Sequence, residues 1–321
     1  MRIKYVPMLV LCLAPVLMRA ADERTCTMRD AAMPSPTLTY VLCEQGLLLV
    51  TNDEGKTWST RKIADAKGLR ALAFLDVNRG VVAGDGGTIL TTADAGKTWT
   101  VRKTDTTENI SDLQMIGMEG WAVGYDGVIV HTADGGQTWS RQKSGVTLSL
   151  EALQFLDPKN GWAVGWSGTI LHTIDGGATW QQVKTSAASW SLSSIHFLDA
   201  NNGFISGFAG QLLHTRDGGT TWESVKTPYS GWLTSVIFDS ARRGWITTDD
   251  GFLLSVDGGA TWKLTTGGAA VEGQTQLFLS KLLRTSGVTW ALGPFGLAKQ
   301  IGDGTQWKKI ENPLADDAEA K

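Results

Sequence analysis

Seven aspartates at near-regular spacing are the residues of this chain most suggestive of chemistry. Six stand in the motif (Ser/Thr)-x-Asp-x-Gly-x-Thr-Trp, which begins at Thr51, Thr92, Thr132, Thr173, Thr215 and Ser255; a shortened seventh copy runs Asp303-Gly-Thr-Gln-Trp307. Carboxylates can act as general acids or bases or bind calcium, but either task requires them to meet at one point. Asp53, Asp94, Asp134, Asp175, Asp217, Asp257 and Asp303 are instead separated by 41, 40, 41, 42, 40 and 46 residues, one to each repeat. A structural role accounts for the whole box. The aspartate accepts N–H groups of a turn, glycine permits positive φ, and the tryptophan packs beneath the hairpin. Those tryptophans are Trp58, Trp99, Trp139, Trp180, Trp222, Trp262 and Trp307.

The other candidates disperse in the same way. His131, His172 and His214 fall at one register of successive repeats, so repetition explains them without a metal, and His196 lies in the apolar stretch Ile195-His-Phe-Leu198. With no second histidine or paired cysteine close by, no metal-ligand spacing emerges, and no cofactor motif is found. A glycosidase requires two opposed carboxylates across a cleft. Asp126, Asp249 and Asp250 are the candidates for that enzymatic alternative.

These residues must be carried by a repeating element of about 40 residues, the length of one four-stranded propeller blade. The fullest unit reads as strand A (Leu150–Leu156), strand B (Gly161–Gly165), strand C (Thr169–Thr173) and strand D (Thr179–Val183), with Asp-Pro, Gly and Asp-Gly-Gly turn signals between. Glycine at 38 residues and tryptophan at 14, with 8 prolines, fit many tight turns around a repeated aromatic packing unit. The expectation is an all-β, seven-bladed propeller over residues 24–311, with the box on each C-to-D hairpin and a polar tail over 312–321.

The repeat resembles the Asp-box, or bacterial neuraminidase repeat. The wider pattern Gly161-Trp-Ala-Val-Gly-x-x-Gly-Thr-Ile-Leu-His-Thr is similar to the photosystem II assembly/stability factor family, and the resemblance covers nearly the whole mature chain. It implies a single seven-bladed propeller that helps a membrane complex assemble, here as a member from a non-photosynthetic bacterium. Sialidases share the box, but their resemblance would also require an arginine cluster, a tyrosine nucleophile with a glutamate, and an early Arg-Ile-Pro type motif, which is missing here. Asp-box xyloglucan hydrolases resemble two linked propellers, whereas this chain accommodates one. The assembly factors carry an arginine patch; the sole adjacent pair here, Arg242-Arg243, falls in an A-to-B turn on the Asp-box side.

Arg2 and Lys4 precede an apolar run from Val6 to Met18, too short to span a bilayer and suited to a secretory leader over residues 1–20. Met-Arg-Ala is a poor cleavage site, so an uncleaved anchor is the alternative. Loss of the leader moves the formal charge from −3 to −6, which argues against nucleic acid, and leaves Cys26 and Cys43 as an even pair for an oxidising compartment, periplasmic or extracellular. Aligning repeats by 122 residues sets Cys26 at the start of strand A beside Cys43 at the end of strand B. A disulfide is expected there; two free thiols are the alternative.

Function is sought where the repeats diverge, at the B-to-C tips and D-to-A loops. The tips read Asp85-Gly86, Tyr125-Asp126, Trp166-Ser167, Phe208-Ala209, Asp249-Asp250 and Pro294-Phe295, and the D-to-A segments add Trp190, Tyr229 and Trp232. Exposed aromatics on one face form an interaction surface; the other reading is rings folded inward as plugs between blades. The leading expectation is a non-catalytic exported scaffold for an envelope or membrane protein. A glycoside hydrolase or sialidase-like enzyme and a lectin-like glycan binder are the alternatives.

Overall fold

A computed structural model describes residues 26–310 apart from 64–65, 67, 250, 266–279, 286–287, 294–295 and 302–305. Seven four-stranded antiparallel sheets follow one another along the chain, each built from four consecutive strands, A to D. Blade 1 comprises Met28–Ala32, Thr39–Cys43, Leu47–Thr51 and Ser59–Lys62; blade 4 comprises Leu150–Phe155, Gly161–Gly165, Ile170–Thr173 and Gln181–Gln182. Strand A opens the other blades at Leu69–Phe74, Ile110–Ile116, Leu192–Phe197, Leu233–Phe238 and Lys281–Thr285. The A strands of neighbouring blades lie side by side around a central channel. Strand D of blade 4 is shorter than the expected Thr179–Val183, because Thr179 and Trp180 are taken up by the Asp-box turn and the strand pairs on the outer edge only.

The two ends of the propeller differ in how their turns are held. At one end the B-to-C turn donates to the residue just before strand A, as in Asp85 N to Gly68 O (3.0 Å) and Trp166 N to Ser149 O (2.9 Å). At the other, the Asp-box turn donates to the A-to-B turn, as in Ala95 N to Asn78 O (2.8 Å) and Gly176 N to Lys159 O (2.9 Å). Arg242 and Arg243 lie at this second end, where Arg242 O accepts from Gly258 N and Arg243 pairs with Asp239.

Each described Asp-box aspartate is consumed by its own turn. In blade 4, Asp175 Oδ1 accepts from Thr173 Oγ1 (2.8 Å) and Thr179 N (2.9 Å), and Oδ2 accepts from Thr179 Oγ1 (2.6 Å). The same bonds recur at Asp53, Asp94, Asp134, Asp217 and Asp257, whereas Asp303 lies outside the described residues. The hydroxyl and backbone N–H of the following threonine stabilise the charged form, holding Asp53, Asp94, Asp175 and Asp257 at about 2.

The box tryptophan does more than sit beneath its hairpin. Trp262 of blade 6 meets Phe204 of blade 5 edge-on (6.3 Å), Trp307 of blade 7 meets Trp245 of blade 6 (5.4 Å), and Trp58 of blade 1 meets Trp290 of blade 7 (6.2 Å). It is a wedge between blades, since the same ring also meets strand A of its own blade, as Trp262 meets Phe238 edge-on at 5.8 Å. Polar side chains clamp the inner edge: Asp30, Asp112, Gln154 and Ser194 accept from Leu72 N (2.9 Å), Leu153 N (3.0 Å), Phe197 N (2.7 Å) and Val236 N (3.3 Å) of the next blade.

Among the described residues no strand is shared between blades 7 and 1, and side chains close the ring. Lys281 Nζ stands 2.8 Å from Asp30 Oδ1 and 3.5 Å from Asp112 Oδ1, joining blades 7, 1 and 3 across the channel. Cys26 and Cys43 are bonded, with Cα atoms 5.1 Å apart, which pins the first residues to strand B of blade 1.

Candidate functional site

A β-bulge recurs at the second residue of strand A in blades 1 to 6. Bulges re-aim a side chain without ending the strand. The residues so placed are Arg29, Arg70, Ser111, Glu151, Ser193 and Thr234, and all six line one cavity of about 890 Å³ at the channel mouth. The site is therefore made by a repeated backbone irregularity carrying a different side chain in each blade.

Its two sides differ in chemistry. Blades 1 and 2 supply guanidinium groups: Arg29 Nη2 meets Glu44 (2.5 Å), and Arg70 Nε meets Asp85 (2.6 Å) while its guanidinium lies 5.7 Å over the Tyr125 ring. Blades 4 to 6 supply rings. Trp166, Trp190, Phe208 and Trp232 are 47%, 53%, 50% and 40% exposed, so these rings are surface groups, and the reading of them as interblade plugs fails. Trp166 Nε1 donates to Glu151 (2.6 Å) and Trp232 Nε1 to Ser193 Oγ (2.6 Å), which fixes each indole. Trp190 leans on Phe208 at 6.2 Å. Burial pushes the Glu151 carboxyl up, against the Trp166 hydrogen bond and the Arg70 charge.

Of the residues expected from sequence to form this face, Trp166, Phe208 and Trp232 line the cavity and Trp190 flanks it through Phe208. Tyr229 hydroxyl donates to Asp249 (2.5 Å), which also accepts from Trp232 N (3.2 Å), so this pair braces the loop before strand A of blade 6. Tyr125 faces Arg70, and Asp126 is an exposed tip in the left-handed region (φ 53°). Asp250 and Phe295 lie outside the described residues. Asp126 and Asp249 stand on blades 3 and 6 and do not form an adjacent carboxylate pair. Sequence reasoning missed Arg29, Arg70, Glu151, Ser193 and Lys281. For the first four the signal is position, one residue beyond the first apolar residue of strand A, whereas Lys281 is itself the first residue of strand A of blade 7.

The three strand C histidines stay apart, each paired in its own blade with the strand B aromatic: Trp121 with His131, Trp162 with His172, Phe204 with His214.

The family profile described as "Photosynthesis system II assembly factor YCF48" matches residues 65–151 and 143–231, more than half of the chain. The chain belongs to that family. No curated protein sequence matches it. Among solved structures, it is similar to "YCF48 bound to D1 peptide" (21% identity, TM-score 0.72, 87% of this chain and 94% of that one). It is also similar to YCF48 from Cyanidioschyzon merolae (20% identity, TM-score 0.69, 85% and 94%). The GH74 xyloglucanase from Xanthomonas campestris shares the fold at 12% identity and TM-score 0.71, but the match spans 55% of that chain. These likenesses establish the propeller, and the profile match establishes the family.

Proposed function

We propose that this chain is a non-catalytic binding protein whose channel mouth holds an extended segment of a membrane or envelope protein during assembly. The observation that carries this reading is the bulged ring, with an arginine side on blades 1 and 2 and fixed, exposed indoles on blades 4 to 6. Such a surface matches a peptide that presents acidic groups at one end and bulky apolar groups at the other, because guanidinium pairs with carboxylate and immobilised rings lose little entropy on binding. A relative solved with a D1 peptide supports a peptide as ligand. The Lys281 bar across the lumen makes the mouth a receptacle, and a segment held there lies across it.

Export to the periplasm or cell exterior is part of the proposal, supported by the leader-like first residues and by the Cys26–Cys43 bond, which suits an oxidising compartment. Crosslinking of the tagged chain in cells, with a Trp166→Ala/Trp232→Ala variant alongside, is the test. Recovery of one membrane complex, lost in a variant that retains its melting temperature, is expected. Recovery of no specific complex, together with turnover of a glycan substrate that disappears in Asp249→Asn, would establish the glycosidase reading instead.

A further inference from the structure

The channel mouth repeats one arrangement from blade to blade. The bulged residue of strand A meets the first residue of the B-to-C turn: Arg29 pairs with Glu44, Arg70 with Asp85, and Glu151 with Trp166. In blade 2 the arrangement reaches one blade further, since the Arg70 guanidinium lies 5.7 Å over Tyr125, the turn residue of blade 3. Trp166 is the turn residue of blade 4, at the register of Tyr125. The bulged residue of the blade before it is Ser111, which carries no charge and is too short to cover a ring. Among the described residues Trp166 therefore lacks the cation that Tyr125 receives, and its ring is exposed on the cavity wall.

The charge around this ring is negative. Arg29 and Arg70 are each held by a carboxylate, and Lys281 is shared between Asp30 and Asp112. Glu151 has no ion pair among the described residues; the charge of Arg70 is felt there, but that guanidinium is hydrogen-bonded to Asp85 (2.6 Å). Trp166 Nε1 occupies one carboxylate oxygen, Oε1, and the other has no hydrogen bond among the described residues. Burial first, and then the charge of Asp112, push the Glu151 carboxyl up, and a cation placed beside it offsets both. A half-buried carboxylate next to an exposed indole, with Phe208 on the same cavity wall, suits a guanidinium or an alkylammonium. The carboxylate supplies the opposite charge and the ring supplies its negative face.

We propose that Trp166 and Glu151 form a cation subsite of the channel mouth, which takes the guanidinium or ammonium group of an arginine or lysine side chain. The protein supplies the precedent, since Arg70, Tyr125 and Asp85 already bring cation, ring and carboxylate together one blade earlier. The incoming group covers the face of Trp166, where blade 3 offers only Ser111, and pairs with Glu151. That the ligand is a side chain rests on the peptide reading above. It adds a basic residue to the bound segment, between the end that meets the arginines of blades 1 and 2 and the end that meets the rings of blades 5 and 6.

The test is titration of the full chain, carrying isotope-labelled tryptophan, with N-acetylarginine methylamide and with its neutral isostere N-acetylcitrulline methylamide. The indole N–H resonance of Trp166, assigned by its loss in Trp166→Phe, is the readout. A saturable shift is expected with the arginine probe at a dissociation constant of about 10 mM or tighter, and binding of the citrulline probe should be weaker by about tenfold or more. Glu151→Gln keeps an acceptor for the indole and removes the charge, and should weaken the arginine probe by about tenfold. Ser111→Arg gives blade 3 the residue that blade 2 carries and should abolish binding by covering the ring from within. Equal binding of the two probes, or unchanged affinity in both variants, overturns the subsite. Recovery of a client complex in the crosslinking experiment without binding of the arginine probe overturns the subsite and leaves the peptide reading standing. Binding of the probe with no client recovered upholds the subsite and overturns the peptide reading alone.

Discussion

At Thr173 one hydroxyl holds a whole turn. Its Oγ1 donates to Asp175 (2.8 Å) and accepts from Gly177 N (2.8 Å), a buried N–H. Thr173→Val keeps the shape and strands that N–H, so denaturant unfolding should show a loss of about 2 kcal/mol, with Thr173→Ser recovering most of it. Titratable groups predict acid lability in two stages. His196 and His214 are held near 4 against an ordinary 6.5, so the folded state excludes protons that the unfolded chain takes up. Their contribution is complete above pH 6.5 and declines as pH falls towards 4. The box aspartates, at about 2 against 3.8, add stability that is complete above pH 3.8 and lost as pH falls to 2. Melting temperature followed from pH 7 to 2 should fall in both windows, and a His196→Gln/His214→Gln variant should lose only the first. A melting temperature constant from pH 6.5 to 4 would show that the imidazoles do not couple to folding.

The strands explain why the functional residues escaped notice. Strand A reads as an apolar run bounded by turns, and period-2 alternation assigns its second residue to a sheet face; the bulge removes that residue from the alternation and points it into the channel. The strands of blade 4 were themselves legible, with strand B matching at Gly161–Gly165 and strands A and C within a residue at one end. The box tryptophan was recognisable as packing, but part of the surface it packs on belongs to the preceding blade, as with Trp262 on Phe204. The disulfide closes a separation of 17 residues around strands A and B of blade 1. Its reduction should destabilise the chain by about 3 kcal/mol if the constraint acts on the unfolded state. Unfolding of the oxidised protein and of a Cys26→Ala/Cys43→Ala variant gives that difference directly, and equal midpoints would place the stability of blade 1 in its packing alone.

Because blades 7 and 1 share no strand among the described residues, the ring depends on its closing contacts. Lys281 is central to them, since its removal leaves Asp30 as a buried carboxylate with its charge uncompensated. Lys281→Met should cost about 3 kcal/mol, and Lys281→Met/Asp30→Leu should restore much of that loss, because a buried pair replaced as a whole is far less costly than one that is broken. Equal stabilities of parent and single variant would assign closure to the Trp58–Trp290 wedge and the Lys299–Glu54 pair (2.9 Å). The number of blades, the position of every described Asp-box and the pairing of the cysteines follow from the sequence itself, because a repeat at blade spacing imposes the same local hydrogen bonds wherever it occurs. The two-sided channel mouth and the lysine bar do not. Each depends on residues from different blades brought together by closure of the ring, and a local repeat carries no record of which blade becomes its neighbour across the channel.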